Sequence, residues 1–429
     1  MKYYSTKGQA KPANFRQAIF KGLPEDNGLY MPEQIPVLSP AFFAELGNLS
    51  LPQIGFEIMK PFIGKEIPDK ALSELVEDTL NFDIPLKQLT EETYALELFH
   101  GPTFAFKDVG ARFLARSLSY FSKQSDHKLT VLVATSGDTG SAVAQGFYDV
   151  ANIEVVILYP SGKISHFQEQ QMTTLGNNIT ALEVNGTFDD CQKLVKQAFL
   201  DGELQSRKNL TSANSINIAR MLPQSIYYFY GMGQLPPEKW KDVVISVPSG
   251  NYGNLTAGLI AQRMGLPIGH FLACSNINDT VPEYLETATY RPRPSKQTIS
   301  NAMDVGDPSN FHRILDLFKG SHAAMSDHIS GYSYTDEETR AAINKVAQEN
   351  DYVLDPHGAV GYLGLSTYLD IHSGTGIFLE TAHPYKFKDV VEEQIDHSLN
   401  TVVSFEDQEK KSIPFSSEYE DFKEFLLES

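Results

Sequence analysis

Val243-Val244-Ile245-Ser246-Val247-Pro248-Ser249-Gly250-Asn251-Tyr252-Gly253-Asn254-Leu255-Thr256-Ala257-Gly258 is an apolar β-branched run, a Gly/Asn turn and a helical pattern, in that order. A strand without polar alternation is buried on both faces, as in a sheet covered by helices. Leu129–Ala134, Val155–Leu158 and Ile377–Leu379 read as further buried strands, each beside Gly, Pro or Ser punctuation. Helical patterns lie between them. Ala142–Asp149 is one, and Phe188–Leu200 is another, with Thr187 as N-cap and Asp190 completing a capping box. The expected fold is α/β, with open, mostly parallel sheets flanked by helices.

Outward from this frame, Pro24–Pro40 is rich in Pro and Gly and reads as a loop after an N-terminal helical segment. Thr289–Gln297, with Arg291-Pro292-Arg293-Pro294, reads as a rigid exposed loop. Ser416–Leu427 places Tyr419, Phe422, Phe425 and Leu426 on one face, so a docked amphipathic helix is expected there. Three segments follow: residues 1–95 as an N-terminal extension, 96–210 as a smaller α/β lobe and 211–429 as a larger one, with chain crossing between lobes allowed.

The chain has 429 residues, 41% hydrophobic and 21% charged, with a formal net charge of −19. That balance argues against a general nucleic-acid or anionic-membrane binder, which needs a basic face. A small anionic substrate requires a local cluster of cations and backbone N–H groups. Cys191 and Cys274 are the only cysteines, and no CxxC is present, so neither a disulfide framework nor a metal site is expected. Met1–Lys7 lacks the apolar core of a signal peptide and no apolar run reaches membrane-spanning length, which points to the cytoplasm.

Four stretches carry chemistry. His100-Gly101-Pro102-Thr103-Phe104-Ala105-Phe106-Lys107-Asp108 sets a lysine after apolar residues. Burial there lowers an ammonium pKa, which suits a Schiff-base or general-base lysine; a snorkelling lysine paired with Asp108 is the competing reading. Ser249–Asn254 has the form of a phosphate cradle, in which Gly250 and Gly253 would allow close backbone approach and positive φ before a helix N-terminus. Ala134-Thr135-Ser136-Gly137-Asp138-Thr139-Gly140 repeats the device and suits a carboxylate, although Ser136 and Asp138 would also be ordinary as plain N-capping residues. Asn214–Arg220 and Tyr159–Ser165 supply Arg220 and Lys163 as cations. Thr381 and His383 follow a buried strand, where α/β sheets hold ligands. A Walker A loop fails because Phe106 and Asp108 stand at the second Gly and Ser/Thr positions. HExxH and GxSxG are absent.

Together with Phe15–Ile19, Gly22–Pro32, Ser300–Val305 and Thr381–Asp389, these stretches make the chain resemble the threonine synthases. Those are pyridoxal-phosphate enzymes of the two-lobed tryptophan-synthase-β type, fold type II, and the likeness is to their longer bacterial and fungal form. It implies that Lys107 carries the cofactor and that Ser249, Gly250, Asn251, Tyr252, Gly253 and Asn254 bind its phosphate. Thr381 would face the pyridine nitrogen. Thr135, Ser136 and Thr139 would hold the substrate carboxylate, while Asn214, Ser215 and Arg220, with Lys163 nearby, would grip its phosphate. Asp138 stands where many relatives of the fold place an asparagine beside the cofactor 3′-oxygen, so it either points elsewhere or is protonated. The implied reaction turns O-phospho-L-homoserine and water into L-threonine and phosphate. A phospho-lyase giving 2-oxobutyrate and ammonia uses the same residues, and a non-catalytic phosphometabolite sensor would lack the lysine.

Overall fold

The computed structural model describes residues 1–123, 128–135, 137–403, 405 and 408–428. The chain divides into two compact units, each assembled from separate segments: Met31–Phe106 with Met221–Val402 and Met1, and Lys2–Tyr30 with Lys107–Arg220 and Val403–Ser429. The crossings fall at 30/31, 106/107, 220/221 and 402/403, not at 95 and 210. The first 95 residues separate because their side chains are buried in different places. Phe15 packs against Phe121 in the second unit, whereas helix Leu51–Ile63 packs on helix Ser225–Gly233 in the first.

The first unit holds a six-stranded sheet in the order Ile329–Ser333, Ile268–Ser275, Val243–Pro248, Thr375–Glu380, Thr93–Glu97 and Leu86–Gln88. Every pairing is parallel except the last. The central strands are buried throughout, as their lack of alternation required. Helix Pro356–Leu369 lies against four strands of the sheet, and Leu272, Phe378, Val360, Leu365 and Ile343 fill the core between.

The second unit holds a wholly parallel five-stranded sheet, in the order Ser412–Phe415, Ile179–Val184, Ile153–Pro160, Leu129–Ala134 and Asn209–Ser212. Helix Phe188–Leu200 starts as expected, with Thr187 Oγ1 accepting from Asp190 N and the Asp190 carboxylate accepting from Thr187 N. Helix Tyr419–Glu428 buries Phe422 and Leu426 among Leu182, Cys191 and Leu194, so the C-terminal amphipathic helix docks in this unit.

Two segments differ locally from the sequence pattern. The helix placed at Ala142–Asp149 runs from Asp138 to Phe147, because the turn is completed at Gly137. Pro24–Pro40 contains a short strand, Tyr30–Pro32, within its irregular path.

Candidate active site

In the first unit, strands Val243–Pro248 and Thr375–Glu380 are neighbours, so their carboxyl ends bring Ser249–Asn254 and Thr381 to the same edge of the sheet. The segment preceding Lys107 is stitched onto that edge. Leu98 N donates to Glu380 O (2.9 Å), Phe106 N to Thr381 O (2.9 Å) and His383 N to Phe104 O (3.0 Å). Lys386, buried, donates its ammonium to Thr103 O at 2.8 Å. Lys107 is the next residue in the chain after Phe106.

Positive φ does not fall on the turn glycines. It falls on Tyr252, at 59°, while Phe104 takes 58° in the loop before Lys107. They are the only aromatic residues in the left-handed region among the described residues. That conformation costs roughly 1–2 kcal/mol for a residue with a Cβ and is typically retained at functional loops. Gly250 is required for another reason: a Cβ there would stand 2.5 Å from Ala302 O and 2.8 Å from Met303 Cα. Gly253 meets only Asn310, at 3.4 Å.

Helix Gly253–Arg263 has no side-chain cap, unlike helices Phe15–Lys21 and Phe188–Leu200. Its N-terminal N–H groups thus keep their attraction for an anion. Asn254 is held with a donor spare. Its Oδ1 accepts from Tyr227 Oη (2.7 Å) and Tyr228 Oη (2.6 Å), whereas its buried Nδ2 has no hydrogen-bond partner. Burial keeps both phenols well above their ordinary pKa, so they remain donors. Asn251 Oδ1 accepts from Ser309 N, and Ser249 Oγ donates to Val247 O, so these two side chains brace the turn.

In the second unit, Lys107 opens helix Lys107–Ser122 and is largely buried. Its ammonium lies 3.6 Å from Asp138 Oδ2, so the carboxylate facing it is Asp138, beyond the Asp108 of the sequence reading. Asp138 is itself fixed by Gln168, whose Nε2 donates to Oδ1 at 2.9 Å. Asp108 is buried too, and its charge acts on Arg220. Burial lowers the Arg220 pKa to about 10, with Asp108 opposing the shift. Arg220 Nη1 donates to Ala213 O, and its main-chain oxygen lies 2.4 Å from where a Cβ on Gly110 would be. Arg220 is therefore an interior residue, not a surface one.

The residues of the Thr135–Gly140 loop behave differently from one another. Thr135 Oγ1 accepts from Gly137 N (3.0 Å) and Gly140 N (2.8 Å), so this buried hydroxyl shapes the loop. Gly137 has φ of 137°, and a Cβ on it would meet Gln168 Oε1 at 2.5 Å. Thr139 is half-buried. Ser136 lies outside the described residues. Asn214 Nδ2 donates to Ala134 O at 2.9 Å, bracing the strand that leads into this loop, and Ser215 beside it is half-buried. Lys163 is exposed in a turn. Gln168, Tyr227 and Tyr228 went unread in the sequence because nothing near them marks them; each acts on a residue at least 26 positions away.

Residues 2–80 match the family model for the threonine synthase N terminus, and residues 81–375 match that for pyridoxal-phosphate dependent enzymes. A threonine synthase of Haemophilus influenzae is 49% identical over 392 residues, 91% of each chain. The chain belongs to the threonine synthase family. The Escherichia coli threonine synthase is 44% identical over 400 residues, 93% of this chain and 92% of its own. The solved structure of the Escherichia coli enzyme matches over the whole of both chains with a TM-score of 0.93 at 40% identity. The PLP-bound threonine synthase of Brucella melitensis matches with a TM-score of 0.92 at 34% identity, covering 100% of this chain and 99% of that one.

Pyridoxal phosphate is the family's cofactor, and the residues present fit it. A phosphate needs several donors at a helix N-terminus, and the first unit offers uncapped N–H groups with the uncommitted Nδ2 of Asn254 beside them. The aldehyde needs an amine, and in the second unit the largely buried Lys107 carries one. Among the described residues no helix is long and apolar enough to cross a membrane.

Proposed function

We propose that the chain converts O-phospho-L-homoserine and water into L-threonine and phosphate, with Lys107 as the catalytic base and cofactor-bearing residue. The observation that carries this reading is the likeness to threonine synthases over at least nine-tenths of both chains, at up to 49% identity among the relatives named above. When bound, pyridoxal phosphate supplies the electron sink that makes the substrate Cα proton removable. Ser249–Asn254 hold its phosphate through helix N–H groups and Asn254 Nδ2. The Thr381 hydroxyl meets the pyridine nitrogen; lacking a negative charge, it leaves that nitrogen largely unprotonated.

Lys107 takes the Cα proton and then moves protons at Cβ and Cγ. The Cγ–O bond breaks with its electrons leaving on phosphate, and a water oxygen bonds to Cβ. Loop N–H groups with Ser136 and Thr139 hold the substrate carboxylate, and Thr135 keeps that loop in shape. Asn214, Ser215 and Arg220 hold the substrate phosphate, with Lys163 adding positive potential at longer range. Asp138, anchored by Gln168, lies 3.6 Å from the Lys107 nitrogen and helps to fix where that amine sits. The two buried, unpaired cysteines suit a reducing cytoplasm.

The test is borohydride reduction of the pyridoxal-phosphate-loaded protein followed by peptide mapping. A single stable label on Lys107 is expected, and label on any other lysine overturns the assignment.

A further inference from the structure

Ser300–Val305 carries part of the family likeness without belonging to any of the candidate binding loops. In the structure it backs the phosphate loop. Ala302 O and Met303 Cα occupy the space a Cβ on Gly250 would need. Two devices hold this backing. Asp304 is the first: its carboxylate accepts from Asn276 Nδ2 (2.9 Å), Thr298 Oγ1 (2.7 Å) and Thr298 N (3.0 Å).

The second device runs through a buried pair. Ala302 N donates to His357 Nε2 at 3.3 Å, which makes Nε2 the acceptor and puts the imidazole proton on Nδ1. Nδ1 lies 2.5 Å from Asp355 Oδ1. Asp355 is wholly buried and reaches the strand end on the other side: its N–H donates to Glu380 Oε1 at 2.8 Å, and its Oδ2 accepts from Ala382 N at 3.4 Å. Glu380 and Ala382 flank Thr381. Asp355 also N-caps helix Pro356–Leu369 through His357 N and Gly358 N, so the pair is rooted in a helix packed on the sheet. Phe387 closes over the imidazole with ring centroids 4.9 Å apart.

We propose that Asp355 and His357 are positioning residues for the cofactor: a buried strut that sets the phosphate loop, through Ala302 and Gly250, at a fixed distance from Thr381. The proposal rests on the reading that Ser249–Asn254 bind the cofactor phosphate and Thr381 its pyridine nitrogen. A loop misplaced by about 1 Å can cost on the order of a hundredfold, so loss of one end of the strut is felt in phosphate recognition.

The test compares pyridoxal phosphate with pyridoxal, which lacks the phosphate, by equilibrium dialysis against the full chain. His357→Leu removes the acceptor for Ala302 N–H, and His357→Gln retains one. Expected results are at least tenfold weaker pyridoxal phosphate binding for His357→Leu, pyridoxal binding within twofold of the parent, and His357→Gln within threefold of the parent for both. If His357→Leu does not fold, His357→Phe, nearer the ring in volume, takes its place with the same expectations. Equal loss of both ligands, or loss of neither, overturns the strut. Asn254→Ala run in parallel separates the two levels. If it lowers pyridoxal phosphate affinity alone while His357→Leu changes nothing, only the strut falls. If Asn254→Ala leaves the preference for pyridoxal phosphate intact, the phosphate-loop reading falls and the strut with it.

Discussion

Gly250 and Gly253 look equivalent in the sequence, yet in the structure only the first has no room for the Cβ of an alanine. A Cβ on Gly250 would lie 2.5 Å from Ala302 O, 2.8 Å from Met303 Cα and 3.3 Å from Ala302 C. All three are backbone atoms, so no side chain can rotate away. Restoring ordinary contact requires an opening of roughly an ångström, at the cost of overpacking, about 1–3 kcal/mol. A Cβ on Gly253 meets only Asn310, at ordinary contact distance, and its backbone does not lie in the left-handed region. Gly253 also opens a helix, where alanine is the better former. Chemical denaturation of the cofactor-free protein should therefore show Gly250→Ala losing about 1–3 kcal/mol and Gly253→Ala unchanged within ~0.5 kcal/mol. If that strain falls on the binding-competent loop, Gly250→Ala binds pyridoxal phosphate about 5- to 150-fold more weakly, at a factor of ten per 1.4 kcal/mol. Equal stability and equal affinity for Gly250→Ala and the parent would refute the packing of Ala302 against this turn.

Lys107→Ala should lower turnover at least a hundred- to ten-thousandfold, the usual value of a positioned proton-transfer group, and abolish borohydride labelling; turnover assay with mass spectrometry reads both. Tyr228→Phe deletes a donor to Asn254 Oδ1 and leaves Tyr227 as the remaining one, so pyridoxal phosphate affinity should fall by a few-fold while pyridoxal affinity holds. Equilibrium dialysis with each ligand checks this. Asp26 has its pKa lowered to about 2: burial opposes the shift, but hydrogen bonds from Ser5 Oγ and the N–H groups of Gly28, Gln9 and Ala10 outweigh it. A depressed carboxyl pKa contributes stability that is complete above its unfolded value near 3.9 and lost as pH falls through 2. Asp26→Asn should thus melt below the parent at pH 7, with the gap shrinking below pH 4 and closing near pH 2 in thermal unfolding.

The strand cores were legible because burial on both faces leaves an unbroken apolar run, as at Leu129–Ala134 and Val243–Pro248. The cap at Thr187 was legible because a capping box is a local pattern. The division of the chain was not, since it depends on which distant surface buries Phe15 or helix Leu51–Ile63. Candidate site residues divide the same way. Lys107 and Ser249–Asn254 stand out as candidates through their neighbours in sequence, whereas the Tyr227 and Tyr228 phenols that hydrogen-bond to Asn254 come from another helix. The strained φ of Phe104 and Tyr252 has no signature either, because glycines nearby invited the opposite assignment. The sequence marks Thr135 as a candidate ligand for the substrate carboxylate, and only the fold shows that its hydroxyl accepts from the N–H groups of Gly137 and Gly140 in its own loop.

Threonine is the expected product of this chain. Full-length protein loaded with pyridoxal phosphate, given O-phospho-L-homoserine, should release phosphate and L-threonine in equal amounts by chromatographic amino-acid analysis and phosphate assay. Phosphate released together with 2-oxobutyrate and ammonia, or no phosphate release at all, would contradict it.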